Sequence, residues 1–395
     1  MKKGFFFLAA SIFIPQILSG TVFHYDNSIG RKIRIKNVIR QEIYINGDLK
    51  KRVEAMNKAL LEAVQSSNSF TLYKGKFYYY EKDLSSDDSY KLVSVYDSSF
   101  FQDTRGLMIV PSDILMPDTR NIPTFPTNDL KPGDSWKAPG EEVHQGIYDS
   151  NEIITSSFDV DYVYLGDEIA AGTNFSKFSI DYVISDNPKN EPDILSITGY
   201  SHLLYYWNSS TSSPGFYSDR FSILYTLRSG ETILFKSTSE GQGELTEDAT
   251  AEQKKQIVSD MKNSIPTNSA MSVREVADGI ILNLGNILFD FNKFTLRKGF
   301  EDKLSKVAEV LQKYPSIDIT VSGYTDNVGE EEYNKTLSEN RAKTVAEFLT
   351  HSGISPSRIS YSGYGSDNPV SAGNSEEGRS LNRRVEIKLI TKEEP

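Results

Sequence analysis

Ile317-Asp318-Ile319-Thr320-Val321-Ser322-Gly323-Tyr324-Thr325-Asp326 decides the fold of the last third of this chain. Ile317, Ile319 and Val321 alternate with Asp318, Thr320 and Ser322, the period-two pattern of a strand with one buried face. The spacing beyond Asp326 predicts a helix from about Asn334 to His351, closed by Gly353 as a C-cap. Leu337, Arg341, Val345, Phe348 and Leu349 fall on one stripe of that helix at spacings of three and four. Arg341 therefore sits on an otherwise apolar face, where an unpaired charge is costly. Its candidate partners are Asp326 and a carboxylate carried by a ligand.

Around this unit, strands and helices alternate from 273 onward. Ile280, Leu282 and Leu284 have strand period. Phe300, Leu304, Val307, Ala308 and Leu311 form a helical stripe, with Glu301 and Asp302 in the first turn, where the helix dipole favours acids. Tyr314-Pro315 stops that helix. Arg358 to Ser362 and Val385 to Leu389 read as further strands. The predicted order is βαβαββ, an α/β sandwich with right-handed crossovers.

Residues 21–238 read mostly as antiparallel sheet with one apolar face. Ile33, Ile35, Ile43 and Ile45 alternate with polar residues, as do Phe221, Ile223, Tyr225 and Leu227. Lys74-Gly75-Lys76, between Phe70–Tyr73 and Phe77–Tyr80, reads as a hairpin turn, and Arg228-Ser229-Gly230-Glu231 as another. Val53, Met56, Leu60, Ala63 and Val64 recur at helical spacing and predict one helix over 53–64. Pro123, Pro126, Pro132 and Pro139 argue against long regular elements between 111 and 140. Trp136, after Lys131-Pro132-Gly133-Asp134-Ser135, is expected to pack inward. Residues 239–272 read as a linker holding a short helix, with Thr250 and Gln253 as its capping box.

The chain has 395 residues, formal net charge −11 and no cysteine. Acidity argues against general nucleic-acid binding, and the lack of cysteine excludes disulfides, thiolate metal sites and a lipid-bearing N-terminal cysteine. The four histidines, His24, His144, His202 and His351, form no i, i+4 pair, so no metal or cofactor site is predicted. Lys2, Lys3, the apolar run Phe5–Leu18 and Ser19-Gly20-Thr21 predict an export signal over 1–20. The expected divisions are 1–20, 21–238, 239–272 and 273–395. No nucleophile elbow, P-loop or histidine metal string points to an enzyme.

Asp326 lies where a strand ends and a loop enters a helix, a favoured ligand position in α/β folds. The helix N-terminus near Asn334 offers free N–H groups, and Arg341 adds a fork of donors. An ammonium on Asp326 beside a carboxylate on Arg341 describes a zwitterionic amino-acid end group.

Residues from about 279 to 390 resemble the OmpA-like peptidoglycan-binding domain family. The resemblance is carried by Leu288-Phe289-Asp290-Phe291-Asn292, Gly323-Tyr324-Thr325-Asp326-Asn327-Val328-Gly329 and Tyr333-Asn334 with Leu337-Ser338. It continues through Arg341-Ala342, Gly363-Tyr364-Gly365, Pro369, Asn374, Gly378-Arg379 and Asn382-Arg383-Arg384-Val385-Glu386-Ile387. It implies that Asp326 and Arg341 grip the diaminopimelate of a cell-wall stem peptide, with Thr325, Asn334 and Arg384 in support. Tyr324 stands where the family usually has His, a departure that could alter the pocket wall. Of Arg383 and Arg384, alternation on a strand lets at most one reach the site.

The implied role is an envelope tether in the periplasm or at the outer membrane. Its C-terminal module would hold peptidoglycan, and its β region would face the outer membrane or an envelope protein. A second expectation makes the β region a porin-like membrane barrel, which needs strands of roughly 9–11 residues with an apolar lipid-facing row.

Overall fold

A computed structural model describes residues 20–391 apart from 68, 85–88, 146–152, 171, 190, 266–270, 286–287, 291 and 372–374. The expected export signal lies, but for Gly20, outside the described residues.

The N-terminal region contains β1 (Lys32–Ile45), β2 (Asp48–Ser66), β3 (Thr71–Asp83), β4 (Tyr90–Gln102), β5 (Met108–Ile109), β6 (Thr119–Arg120), β7 (Ser135–Gln145), β8 (Ile153–Ala170), β9 (Thr173–Asp186), β10 (Ile194–Asn208), β11 (Ser213–Leu227) and β12 (Thr232–Thr246). Hairpin connections give an antiparallel meander from β7 to β12. β12 then pairs with β1, and β1 to β4 continue the sheet. The proline-rich segment between β4 and β7 spans the gap, with β5 on β4 and β6 on β7.

The sheet curves around an interior. Phe23 and Tyr25 enter one end and pack with Phe125, Phe178 and Trp207 at ring-centroid distances of 4.7–5.9 Å. Trp136 stacks on Tyr162 at 4.8 Å and donates Nε1–H to the Thr124 carbonyl at 2.8 Å, as an inward-packing residue should. Beyond this aromatic plug the interior stays open as a cavity of about 500 Å³. Ile33, Ile35 and Ile39 face that cavity. The alternate row of β1 carries Lys32, Arg34 and Arg40, ion-paired to Asp248, Glu244 and Glu54. A membrane barrel turns its apolar row outward; here the apolar row faces in and charges face out, which counts against the porin-like alternative.

Residues 53–64 form strand, not the expected helix. Val53, Ala55, Ala59 and Leu61 are buried on one side of β2, and Met56 and Leu60 on the other. Met56 packs with Tyr80 and Tyr90. A strand buried on both faces loses its period-two signature, and its apolar residues then fall by chance at helical spacing. The expected turn at Lys74-Gly75-Lys76 is also absent: β3 runs straight through it. Gly75 is there because a Cβ would lie 1.9 Å from the Leu60 carbonyl oxygen across the ladder. β7 likewise runs through Pro139, whose missing N–H is tolerated because at that position β7 pairs, among the described residues, with β8 alone, β6 reaching only Glu141 and Glu142.

The expected linker divides. Residues 239–246 belong to β12. After it, α1 (Ala251–Ser264) carries the full Thr250–Gln253 capping box and buries Ile257 and Met261 in the C-terminal core. That core then receives β13 (Ser272–Val276), β14 (Gly279–Asn283), α2 (Glu301–Gln312), β15 (Ile319–Tyr324), α3 (Glu331–His351), β16 (Ile359–Gly363), α4 (Glu376–Asn382) and β17 (Arg384–Ile390). β13 and α4 are additions to the six-element expectation. The sheet order is β13-β14-β17-β15-β16, with β15 and β16 parallel and the other pairs antiparallel. Leu304, Val307 and Leu311 of α2 and Val345 and Leu349 of α3 cover one face of it.

The other face meets the N-terminal sheet. Ser360 and Tyr361 of β16 pair in parallel with Tyr90 and Lys91 of β4. Lys58 binds Asp318 at 2.8 Å and Lys91 binds Glu339 at 2.8 Å.

Candidate functional site

The loop after β15 and the first turns of α3 are brought together by glycines. A Cβ on Gly323 would stand 2.0 Å from the Ser338 carbonyl oxygen, and one on Gly363 would stand 2.2 Å from the Glu339 nitrogen. α3 therefore rests directly on the backbone of β15 and β16. That contact sets Arg341 behind Asp326.

Thr325, Asp326, Asn334, Arg341 and Arg384 all line one cleft of about 480 Å³, together with Arg383. Phe289, Val328 and Leu337 supply apolar wall. The lining holds five arginines (Arg297, Arg341, Arg379, Arg383, Arg384) against three carboxylates (Asp290, Asp326, Glu376), so the cleft favours a ligand with anionic character.

Arg341 is 7% exposed. Its Nε–H donates to the Lys293 carbonyl at 2.9 Å, and its guanidinium carbon lies 5.5 Å from the Phe289 ring centre. Among the described residues it forms no ion pair. Burial, then the Arg383 charge, lower its pKa from the usual guanidinium value. A half-desolvated guanidinium on a cleft wall can take a carboxylate in bidentate geometry.

Asp326 is 8% exposed and is not paired with Arg341. Its Oδ2 accepts from Arg383 Nη1 at 2.6 Å, and its Oδ1 accepts from the Val328 N–H at 3.2 Å. Arg383 also donates to Glu376 at 2.6 Å. These bonds outweigh desolvation and raise the Arg383 pKa. A carboxylate has about four lone-pair sites, so Asp326 keeps room for a ligand ammonium.

The two adjacent arginines divide differently from expectation. Arg384 lines the cleft but is buried, with Nε bonded to Glu386 at 3.0 Å and its guanidinium 3.8 Å from the Tyr324 ring centre. Arg383 is the one that holds Asp326. Strand alternation does not govern the pair, because Arg383 is the C-cap of α4 and only Arg384 belongs to β17. The sign of α4 in the sequence is Ser375 followed by Glu376 and Glu377, an N-cap with an acidic first turn, which by itself does not point to this role of Arg383.

Thr325 is buried, and its Oγ1 has no hydrogen-bond partner. Asn334 donates Nδ2–H to the Val328 carbonyl at 3.1 Å and so fixes the loop after Asp326. α3 begins at Glu331, earlier than expected, and the Asn334 N–H already bonds Glu330. The free N–H groups thus lie one turn before Asn334, and Glu331 and Glu332 compete for their field. Tyr324 stacks on Tyr364 at 5.3 Å and is not on the cleft lining, so the expected change of pocket wall does not occur there.

Residues 288–383 match the model of the OmpA family. Probable lipoprotein YiaD of Escherichia coli (strain K12) is 41% identical over 122 residues, 31% of this chain and 56% of that protein. Peptidoglycan-binding protein ArfA of Mycobacterium bovis is 41% identical over 103 residues, 26% of this chain and 32% of that protein. Among solved structures, the peptidoglycan-associated lipoprotein from Burkholderia pseudomallei is 29% identical. That likeness covers 26% of this chain and 86% of that one, with a TM-score of 0.25. The chain thus spans about half or less of these curated relatives' length.

Proposed function

Because residues 288–383 form an OmpA family domain, we propose that this chain binds the peptidoglycan stem peptide noncovalently through the zwitterionic end of a diaminopimelate-type residue. Arg341 takes the carboxylate. Asp326, shared with Arg383, takes the ammonium. Thr325 gives its unpartnered hydroxyl, Asn334 holds the loop, and Arg384 braces the cleft floor. The observation that carries this reading is Arg341 itself: a buried guanidinium on a cleft wall, without an ion-pair partner among the described residues, beside a carboxylate already neutralised by another arginine. A relative named for peptidoglycan binding supports the ligand class. The whole chain then acts as an envelope tether, with the C-terminal module on the wall and the β region toward the outer membrane or an envelope protein.

Calorimetric titration with stem peptides that differ only in carrying diaminopimelate or lysine tests the pairing. Diaminopimelate places a carboxylate beside its amine and lysine does not. Diaminopimelate peptide should bind at least tenfold tighter, and that margin should vanish in Arg341→Ala. Equal affinities in the wild type would refute the role given to Arg341.

A further inference from the structure

The cavity inside the N-terminal sheet, about 500 Å³, falls within the ~300–1,000 Å³ of small-molecule sites. We propose that it binds a small amphiphile carrying a protonated amine on an apolar body. This is independent of the wall-binding cleft.

The wall has two chemistries. Ile33, Ile35, Ala59, Leu61 and Phe77, from β1, β2 and β3, make an apolar sector. Asp118, Glu142 and Asp219 line the same cavity, and no lysine or arginine is among its described lining residues. None of the three carboxyl groups forms an ion pair among the described residues; Asp219 accepts from the Ser201 hydroxyl at 2.8 Å and from the backbone N–H groups of Arg220 and His202, all neutral donors. His144, 6% exposed, uses Nδ1 on the Tyr225 hydroxyl at 2.9 Å and has no partner for Nε2. Burial lowers its pKa to about 4, so the ring is neutral at pH 7. In the tautomer that gives Nδ1–H to Tyr225, Nε2 is an acceptor. Asn57 Oδ1, on the same lining, also lacks a partner. Buried acceptors are normally satisfied. An ammonium supplies three donors and the missing positive charge, while an alkyl or ring body covers the apolar sector.

The pH response follows from the groups around Glu142. Asp118, Asp219 and Tyr182 act on it, it acts on Tyr225, and His144 lies two residues along its own strand. The cations at the margin are engaged elsewhere. Arg120, which acts on Asp118, donates to the carbonyls of Ile114 and Pro117. His202, which acts on Asp219, bonds Asp181. Burial, then its acidic neighbours, raise the Glu142 pKa to about 8, and burial raises that of Asp219 to about 6. The cavity therefore gains negative charge between pH 6 and 9, where an alkylamine titrating near ~10.4 like lysine stays cationic.

Calorimetric titration of the full chain with octylamine, octanol and octanoate tests this. Octylamine should bind at least tenfold tighter than octanoate, and its affinity should rise at least tenfold from pH 6 to 9. Glu142→Gln and Asp219→Asn should each cut the preference for octylamine over octanol about tenfold and leave octanol binding unchanged. Ala59→Trp, which fills the apolar sector, should abolish all three. Equal binding of amine and carboxylate overturns the proposal, as does no binding to a chain that thermal unfolding shows to be folded. Octylamine binding undisturbed by Ala59→Trp also overturns it. Should the acidic variants fold poorly, the wild-type pH profile decides alone, and a flat profile overturns it.

Discussion

At the residue scale, the shared cleft of Asp326 and Arg341 was legible from the sequence. Arg341 breaks a local rule as a charge on an apolar helical stripe, and Asp326 follows a strand end, where ligand sites of α/β folds lie. What the sequence did not show is that Arg383, not Arg341, neutralises Asp326, since that depends on the seven-residue α4. The three side chains should respond differently to truncation. Arg341→Ala removes a buried charge without an ion-pair partner, so folding should change by less than about 1 kcal/mol. Losing a hydrogen-bonded charge contact to a ligand costs about 2–5 kcal/mol, so wall binding should fall at least thirtyfold. Arg383→Ala strips Asp326 of its partner and should cost about 1–3 kcal/mol of stability. Thr325→Val should leave stability unchanged, because its hydroxyl bonds nothing, and weaken binding by no more than about 1.5 kcal/mol. Chemical denaturation and binding titrations on the three variants check these together.

At the element scale, legibility followed the number of buried faces. β15 and α3 each present one buried face and one polar face, so their periods were readable. β2 buries one face toward the cavity and the other toward Tyr80 and Tyr90, and its period was lost. Gly75 misled for a related reason: glycine marks both turns and close approaches, and only the ladder shows that the Leu60 carbonyl leaves no room for a Cβ. Gly323 performs the same task between β15 and α3. Gly323→Ala should push α3 off the sheet, lower stability by about 3 kcal/mol or more, as overpacking at a rigid backbone does, and separate Arg341 from Asp326. Thermal unfolding and binding of this variant should fall together; an unchanged melting temperature would contradict the close packing.

At the scale of the whole molecule, the two regions share a contact that no local pattern announced. Lys58 and Asp318 are 260 residues apart and both are largely shielded. Asp318→Ala should strand the Lys58 ammonium and cost about 3 kcal/mol, most of it recovered when Lys58→Met is added, since leaving one buried charge is worse than removing both. The interior carboxyls give the molecule a pH signature. The Glu142 pKa is about 8 folded against ~4.3 unfolded. Its contribution to stability is therefore complete below about pH 4 and is lost as pH rises through 8. Glu142→Gln should flatten that loss, by on the order of 1–2 kcal/mol once the half-buried position is discounted. Melting curves of the two proteins from pH 5 to 9 read it directly. The central claim concerns wall binding, and co-sedimentation of the full chain with purified diaminopimelate-type peptidoglycan tests it most directly. Wild type should pellet with the wall, while Asp326→Ala and Arg341→Ala, shown by thermal unfolding to be folded, should stay in solution. Wild type remaining in solution, or both folded variants pelleting as it does, would contradict the claim.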